Sequence, residues 1–273
     1  MVIKNLSGLI EIARKKSIYK LVVAAAEDEH VFKAAIKAKN ENIIAPVFVG
    51  DKERIIKLAD KLKINISEFE VINNKEASGS CDEAFRLISE GKADIIMKGL
   101  VSSSTFLKAL LNKKFGLVEN SMLSHLAIFE TPYYHKIIGV TDAAINIAPD
   151  LKEKAEIIKN AVNAYNMLGV DTPRIGVLAA IENVNPKMKA TVHASKLKTM
   201  NKTRQLKNCI IDGPLALDNA VSQLAAKHKG IDSDVAGNVD VLVTPDINSG
   251  NILYKSLNFL GGAVSAALVL GAS

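Results

Sequence analysis

Four short segments of this 273-residue chain carry residue types able to bind or move charged groups. In Met97-Lys98-Gly99-Leu100-Val101-Ser102-Ser103-Ser104-Thr105, a glycine that lets a ligand approach the backbone precedes a run of hydroxyls opening a helical pattern. The free N–H groups of a helix start attract anions, and Lys98 and Lys108 add positive charge, so phosphate binding is one reading. The other is a helix cap made by one of the serines. Asn248-Ser249-Gly250-Asn251, behind Thr244-Pro245-Asp246-Ile247, repeats the arrangement with Lys255 one turn further on. Here too an anion site competes with a plain Pro/Asn/Gly turn. Ser124-His125 opens an apolar run. Imidazole titrates near neutrality, so His125 is a candidate general base, or else a strand-start histidine satisfied by backbone. In Thr141-Asp142-Ala143-Ala144-Ile145-Asn146, Asp142 and Asn146 either orient a substrate or cap and turn the chain.

Other chemistries lack their patterns. The glycine and lysine order of a P-loop is missing around Lys98, and no Gly-x-Ser-x-Gly elbow surrounds Ser124. His30, His125, His135, His193 and His228 are dispersed, with neither cysteine beside them, so no metal is expected. Gly261-Gly262 does not make a Gly-x-Gly-x-x-Gly fingerprint, which argues against NAD and against a dehydrogenase.

Short aliphatic runs alternate with amphipathic stretches along the chain. Leu21–Ala26, Ala45–Val49, Ala93–Met97, Leu126–Phe129, Ile137–Val140, Ile175–Ala180, Cys209–Ile211 and Val239–Val243 have the length and content of buried parallel strands. Between them, 27–40, 52–62, 76–90, 103–112, 150–168, 215–227 and 251–260 carry helical patterns. The alternation predicts an α/β fold with helices on both faces of parallel-rich sheets, and places ligands at the carboxyl ends of strands. Asp150 with Glu153 marks one helix start, and Gly213-Pro214 introduces another with Pro at its first helical position. Gly91 and Gly169 read as helix stops.

The composition is 48% hydrophobic with a net charge of +6, which excludes a disordered chain. The lysines are scattered beside acidic residues, without zinc spacing or an RNA-binding aromatic signature, so the charge points to small anions rather than nucleic acid. Residues 1–20 form an amphipathic helical pattern and not a signal peptide. The longest apolar run, Ala263 to Leu270, falls short of a bilayer span. A soluble cytoplasmic protein with Cys81 and Cys209 reduced is therefore expected.

Taken together, Met97-Lys98-Gly99-Leu100, Ser124-His125 with Phe129-Glu130, Thr141-Asp142 with Asn146, Asn185-Pro186-Lys187-Met188, Asp212 to Asp218, and Pro245 to Asn251 with Tyr254-Lys255 resemble the phosphate acyltransferases in order and spacing. The phosphate butyryltransferase branch is the nearer one. The resemblance implies reversible acyl transfer between CoA and inorganic phosphate through a ternary complex, giving acyl phosphate, on a short-chain (butyryl or branched) acyl group. No permanently bound cofactor is implied, only CoA as substrate. It further implies an isocitrate/isopropylmalate dehydrogenase-like pair of α/β domains with a cleft between them, in a homodimer or larger homo-oligomer. On this chain the domains would be 1–138 with 252–273, and an inserted 139–251.

The resemblance assigns Lys98, Gly99, Ser102, Ser103, Thr105, Lys108, Asn146, Asn185, Lys187, Met188, Asn248, Ser249, Gly250 and Asn251 to phosphate and CoA, and makes Ser124, His125 and Asp142 cleft candidates for catalysis. It also places the family's Ser-Arg pair just beyond Gly271-Ala272-Ser273, where the sequence stops. A non-catalytic CoA or acyl-phosphate binding protein is the alternative reading.

Overall fold

The computed structural model describes residues 5–118 and 121–272, and these divide into two compact units, 10–120 and 1–9 with 121–272.

In the 10–120 unit, β1 (Tyr19–Ala24), β2 (Ile44–Gly50), β3 (Glu70–Asn73) and β4 (Ile95–Lys98) form a parallel sheet in the order β3-β2-β1-β4. Period-2 alternation divides β1 between two faces. Leu21 and Val23 enter a core with Phe48 of β2, Phe32 of α2 (Glu29–Asn40) and Ile55 of α3 (Lys52–Lys61). On the opposite face α4 (Ala77–Ser89) lies against β1, β2 and β4 and packs on α5 (Ser103–Leu110), with Phe85 5.0 Å from Phe106. The helices start where short polar side chains take the first free N–H groups: Asp28 caps α2, Asp51 caps α3 and Ser102 caps α5. The order in which strands are added reverses between β1 and β4, all four remaining parallel, which is where open parallel sheets leave a crevice at their carboxyl edge.

The second unit is built on a six-stranded sheet ordered β10-β5-β6-β9-β7-β8. Its strands are β5 (Ser124–Glu130), β6 (Ile138–Thr141), β7 (Arg174–Leu178), β8 (Ile210–Leu215), β9 (Val241–Val243) and β10 (Val264–Leu270). One face is covered by α6 (Leu151–Met167) and α7 (Lys189–Lys202), which contribute Ile158, Val162, Tyr165 and Leu197 to the core. The other carries α8 (Leu217–Val221), α9 (Gln223–His228) and α10 (Ile247–Phe259) over Phe129, Val140, Val239 and Leu242. Helix α1 (Leu6–Ala13) lays Leu6 and Leu9 on the first of these cores. At the foot of the sheet, the buried Asp240 holds Lys136 Nζ at 2.6 Å and takes the Arg174 N–H at 2.7 Å, so neither charge is stranded.

Several expectations are corrected. Strands β5 and β6 are paired from Ala127–Val140 to Phe129–Ile138, so the boundary expected between 138 and 139 runs between two paired strands. Strand β5 is antiparallel to β6, as its seven-residue connection, too short for a crossover helix, requires. Pro214 sits inside β8 after a cis peptide, and the following helical pattern is two helices, the second capped by Ser222. Asp150 with Glu153 does form a reciprocal capping box. Gly91 and Gly169 do close their helices, at φ of +67° and +82°. Cys81 and Cys209 are buried free thiols. Among the described residues no helix is long and apolar enough to cross a membrane.

Candidate active site

In the 10–120 unit, the turn from β4 into α5 lies flat on the carboxyl end of β1. Gly99 N–H donates to the Ala24 carbonyl at 2.8 Å and Leu100 N–H to that of Ala25 at 2.7 Å. A Cβ on Gly99 would stand 2.0 Å from the Ala25 oxygen, so the close approach admits only glycine. Lys98 Nζ is engaged by the same turn, donating to Val101 O at 2.7 Å and Gly99 O at 3.3 Å. Ser102 Oγ accepts from Thr105 N–H at 3.1 Å and sits 2.8 Å from Thr105 Oγ1, which is the capping role. Ser103, the first residue of α5, is exposed. Lys108 and Thr105 line a groove of about 520 Å³ with Ser78, Gly79 and Asn112.

In the second unit, three segments meet at the carboxyl edge of β6 and β9, and Asp142 ties them together. Its Oδ1 accepts from Ala144 and Ile145 N–H at 2.8 and 2.9 Å, and its Oδ2 from His125 N–H at 3.0 Å and Asn146 Nδ2 at 2.6 Å. Asn146 also donates to Leu123 O, and Asn160 from α6 donates to Met122 O and to Ser124 Oγ. The β9–α10 turn is pressed against the same loop. Thr244 Oγ1 donates to Asp142 O, Asn251 Nδ2 donates to Ala143 O, and a Cβ on Gly250 would meet Asp142 O at 2.3 Å. Asp142 and Ser124 are both buried, and their polar atoms are spent on this framework. Asp246 caps α10 by accepting from Ser249 N–H at 2.9 Å, while Asn248 remains exposed.

His125 is the candidate whose reactive atom is not committed. Its ring meets Tyr254 edge-on at a centroid distance of 5.9 Å, and Nδ1 is buried without a hydrogen-bond partner among the described residues. Burial lowers its pKa from 6.5, outweighing the opposite pull of Asp142, so the imidazole is held toward its neutral form.

Asn185, Lys187 and Met188 lie away from these contacts, in the loop that starts α7. Asn185 Oδ1 accepts from Lys187 N–H at 3.0 Å, Thr191 Oγ1 donates to Asn185 O, Lys187 is exposed, and Met188 occupies the N-cap without a side-chain cap bond. Sequence reasoning missed Lys154, a buried lysine on α6 whose Nζ is 3.2 Å from His193 Nδ1 on α7. Burial lowers the pKa of Lys154, with Asp246 and Asp150 pulling the other way. Its signal was faint, because an i, i+4 step from Asp150 is common on solvated helix faces.

The family model described as phosphate acetyl/butaryl transferase matches residues 5–87 and 79–272. The chain belongs to this family. The phosphate butyryltransferase of Clostridium acetobutylicum is 38% identical over 271 residues, covering 99% of this chain and 90% of the relative. That of Clostridium beijerinckii is 39% identical over 270 residues, with 99% and 89% covered. A branched-chain phosphotransacylase from Enterococcus faecalis V583 superposes with a TM-score of 0.82 at 30% identity, over 93% of this chain and 89% of that one. As a phosphate acetyl/butaryl transferase the chain is an acyltransferase, and its motifs fall in both compact units.

The neutral state of His125 gives a measurable expectation. The unfolded chain takes up its proton from about pH 6.5 downward while the folded chain resists it. The stability that depends on this residue is therefore complete above that pH and lost as pH falls through the depressed folded value. Urea unfolding of the wild type should weaken from pH 7 to pH 5 more steeply than that of a His125→Gln variant. Parallel pH profiles for the two proteins would remove His125 from the buried neutral role.

Proposed function

We propose that this chain is a phosphate butyryltransferase-like enzyme, transferring a short-chain or branched acyl group reversibly between CoA and inorganic phosphate. The observation that carries the reading is the family match running from residue 5 to residue 272, with relatives named as phosphate butyryltransferases along nearly the whole chain. Those relatives support a transferase over a binding-only protein. The reaction proceeds through a ternary complex with acyl-CoA and phosphate, as a cytoplasmic homodimer or larger assembly and without a resident cofactor.

Within this reading, the β4–α5 turn offers backbone N–H groups at Ser103 and Ser104, beyond the one taken by Ser102, with Lys108 adding charge for phosphate or a CoA phosphate. The Asn248 to Asn251 turn and the Asn185-Lys187-Met188 loop supply further polar contacts to CoA. Within the 121–272 unit, His125 is the candidate general base. Asp142, Asn146 and Ser124 position His125 and its strand. The attack forms a P–O–acyl bond and breaks the C–S bond, leaving CoA as the thiol. Positioning of the two anions supplies much of the rate, because an effectively unimolecular step avoids the cost of bringing them together.

The test is thiol release from butyryl-CoA with and without phosphate. Release that depends on phosphate, with stoichiometric butyryl phosphate, is expected. Release that ignores phosphate, or calorimetric binding of CoA with no turnover, would replace the proposal with hydrolysis or with the binding-only reading.

A further inference from the structure

Lys154 is 4% exposed, less than any other lysine among the described residues, yet it ends the first turn of α6, where the helix dipole disfavours a cation. Its Nζ has one hydrogen-bond partner among the described residues, His193 Nδ1 on α7, at 3.2 Å. No carboxylate there lies within ion-pair distance. The two that act on it from further off, Asp246 and Asp150, are spent on capping α10 and α6. Lys136 shows the ordinary arrangement for a sheltered lysine. Its side chain is 13% exposed, and its Nζ donates to Asp240 Oδ1 at 2.6 Å and to Asn238 O at 2.9 Å. A sheltered ammonium without such a counter-ion gives up its proton more readily, and burial does lower the pKa of Lys154. On His193, burial and then the Lys154 charge lower the pKa, joined by Lys196 and Lys189 of α7 and opposed by Asp150. The imidazole is thus held toward its neutral form, able to take a proton at Nδ1.

The pair is also reachable. His193 is half-buried, so Nζ lies one side chain beneath the surface. Beside it, α6 and α7 flank a groove of about 440 Å³ lined by Leu151, Lys152, Lys196, Thr199, Met200 and Gln205. Leu151 is three residues from Lys154, and Lys196 three from His193, which puts the groove within one turn of the pair on both helices. We infer that Lys154 is an acylation site, taking the acyl group of an acyl phosphate with His193 as the base. The donor is the product of the reaction proposed above, and the inference rests on that reading. The Lys154 amine attacks the acyl carbon and forms an N–C bond. The C–O bond to the phosphoryl group breaks, phosphate leaves with the electron pair, and the amine's proton passes to His193 Nδ1 and on to phosphate or water. A neutral amide replaces the charge that faces Asp150 and Asp246. Accumulated acyl phosphate would in this way unsettle the start of α10, whose Asn251 holds the Asp142 loop through Ala143 O.

The test adds butyryl phosphate to the intact chain without CoA and follows the labelled peptides by mass spectrometry. Lys154 should gain its butyryl group ahead of Lys136, which Asp240 holds as the ammonium, and ahead of the exposed Lys207. His193→Gln should slow the labelling of Lys154 by about 100-fold, the scale of general-base assistance, and leave that of Lys207 unchanged. The order of labelling in the wild type stands alone if this variant does not fold. Lys154 labelled no faster than Lys207, or equally fast in folded His193→Gln, would overturn the inference. Because the donor is supplied from outside, the two readings fail separately. Phosphate-dependent thiol release with Lys154 unlabelled removes the site and leaves the reaction, whereas label on Lys154 without thiol release keeps the site and removes the reaction.

Discussion

Asp142→Ala is expected to cost about 3–5 kcal/mol, near the top of what one substitution does, because it removes four hydrogen bonds to a buried carboxylate at once. The donors left behind are three backbone N–H groups and the Asn146 amide, and none can turn to water without opening the loop. The same bonds fix the β6–α6 turn to the start of β5, so acyl transfer should collapse even in the fraction that folds. Asp142→Asn separates charge from packing. One oxygen would keep its two donors, while the new amide nitrogen would face the other two, so most of the loss should remain. Urea unfolding measures both variants, and a loss below about 1 kcal/mol for Asp142→Asn would show that the framework role assigned here is wrong.

Gly99→Ala should be nearly as damaging for a different reason. The added methyl would stand 2.0 Å from Ala25 O and 2.8 Å from Ala24 O, and both are backbone atoms already accepting hydrogen bonds from the turn. Relief requires breaking those bonds and lifting the β4–α5 turn off β1, at a cost of roughly 3 kcal/mol or more. Gly91→Ala is the control. There φ is +67° and nothing lies within 4 Å, so only the left-handed backbone is charged against it, about 1–2 kcal/mol. Denaturant midpoints that rank Gly91→Ala as the more harmful would contradict the close-approach account. Thiol release by any folded Gly99→Ala protein should also fall, since Ser103 and Ser104 move with the turn.

The fold class was legible because buried strands in an α/β protein read as aliphatic runs whatever their partners. Strand β3, Glu70–Asn73, escaped because it is short, charged at one end and only partly buried. Helix α7 escaped because its buried residues are Thr191, Ala194 and Leu197, two of them too small to make an amphipathic stripe. Strand β10 was weighed only as an apolar run too short to span a bilayer, although Gly261-Gly262 and Gly271 bound it. The domain boundary was illegible in composition, since no linker residues mark 120 and the pairing of β5 with β6 is a long-range fact. At the site, single positions were legible and their partners were not. Asp142 was open between substrate and turn, and the turn reading describes its contacts; Ser102 behaved as the cap that serines before helices usually are. Nothing local reveals that His125, Asn146 and two backbone amides converge on one carboxylate.

The pairing of β10 with β5 also dictates an order of events during synthesis. Residues 10–120 are contiguous, so that unit can fold as soon as it leaves the ribosome. The other unit needs both residues 6–9 and residues 264–270, with well over a hundred residues between β5 and β10. Until then β5 itself is an unpaired edge on a growing sheet. A nascent chain that has not yet delivered residues 264–270 would therefore carry one finished unit and one with an open β-edge, making it a client for chaperones that hold such edges.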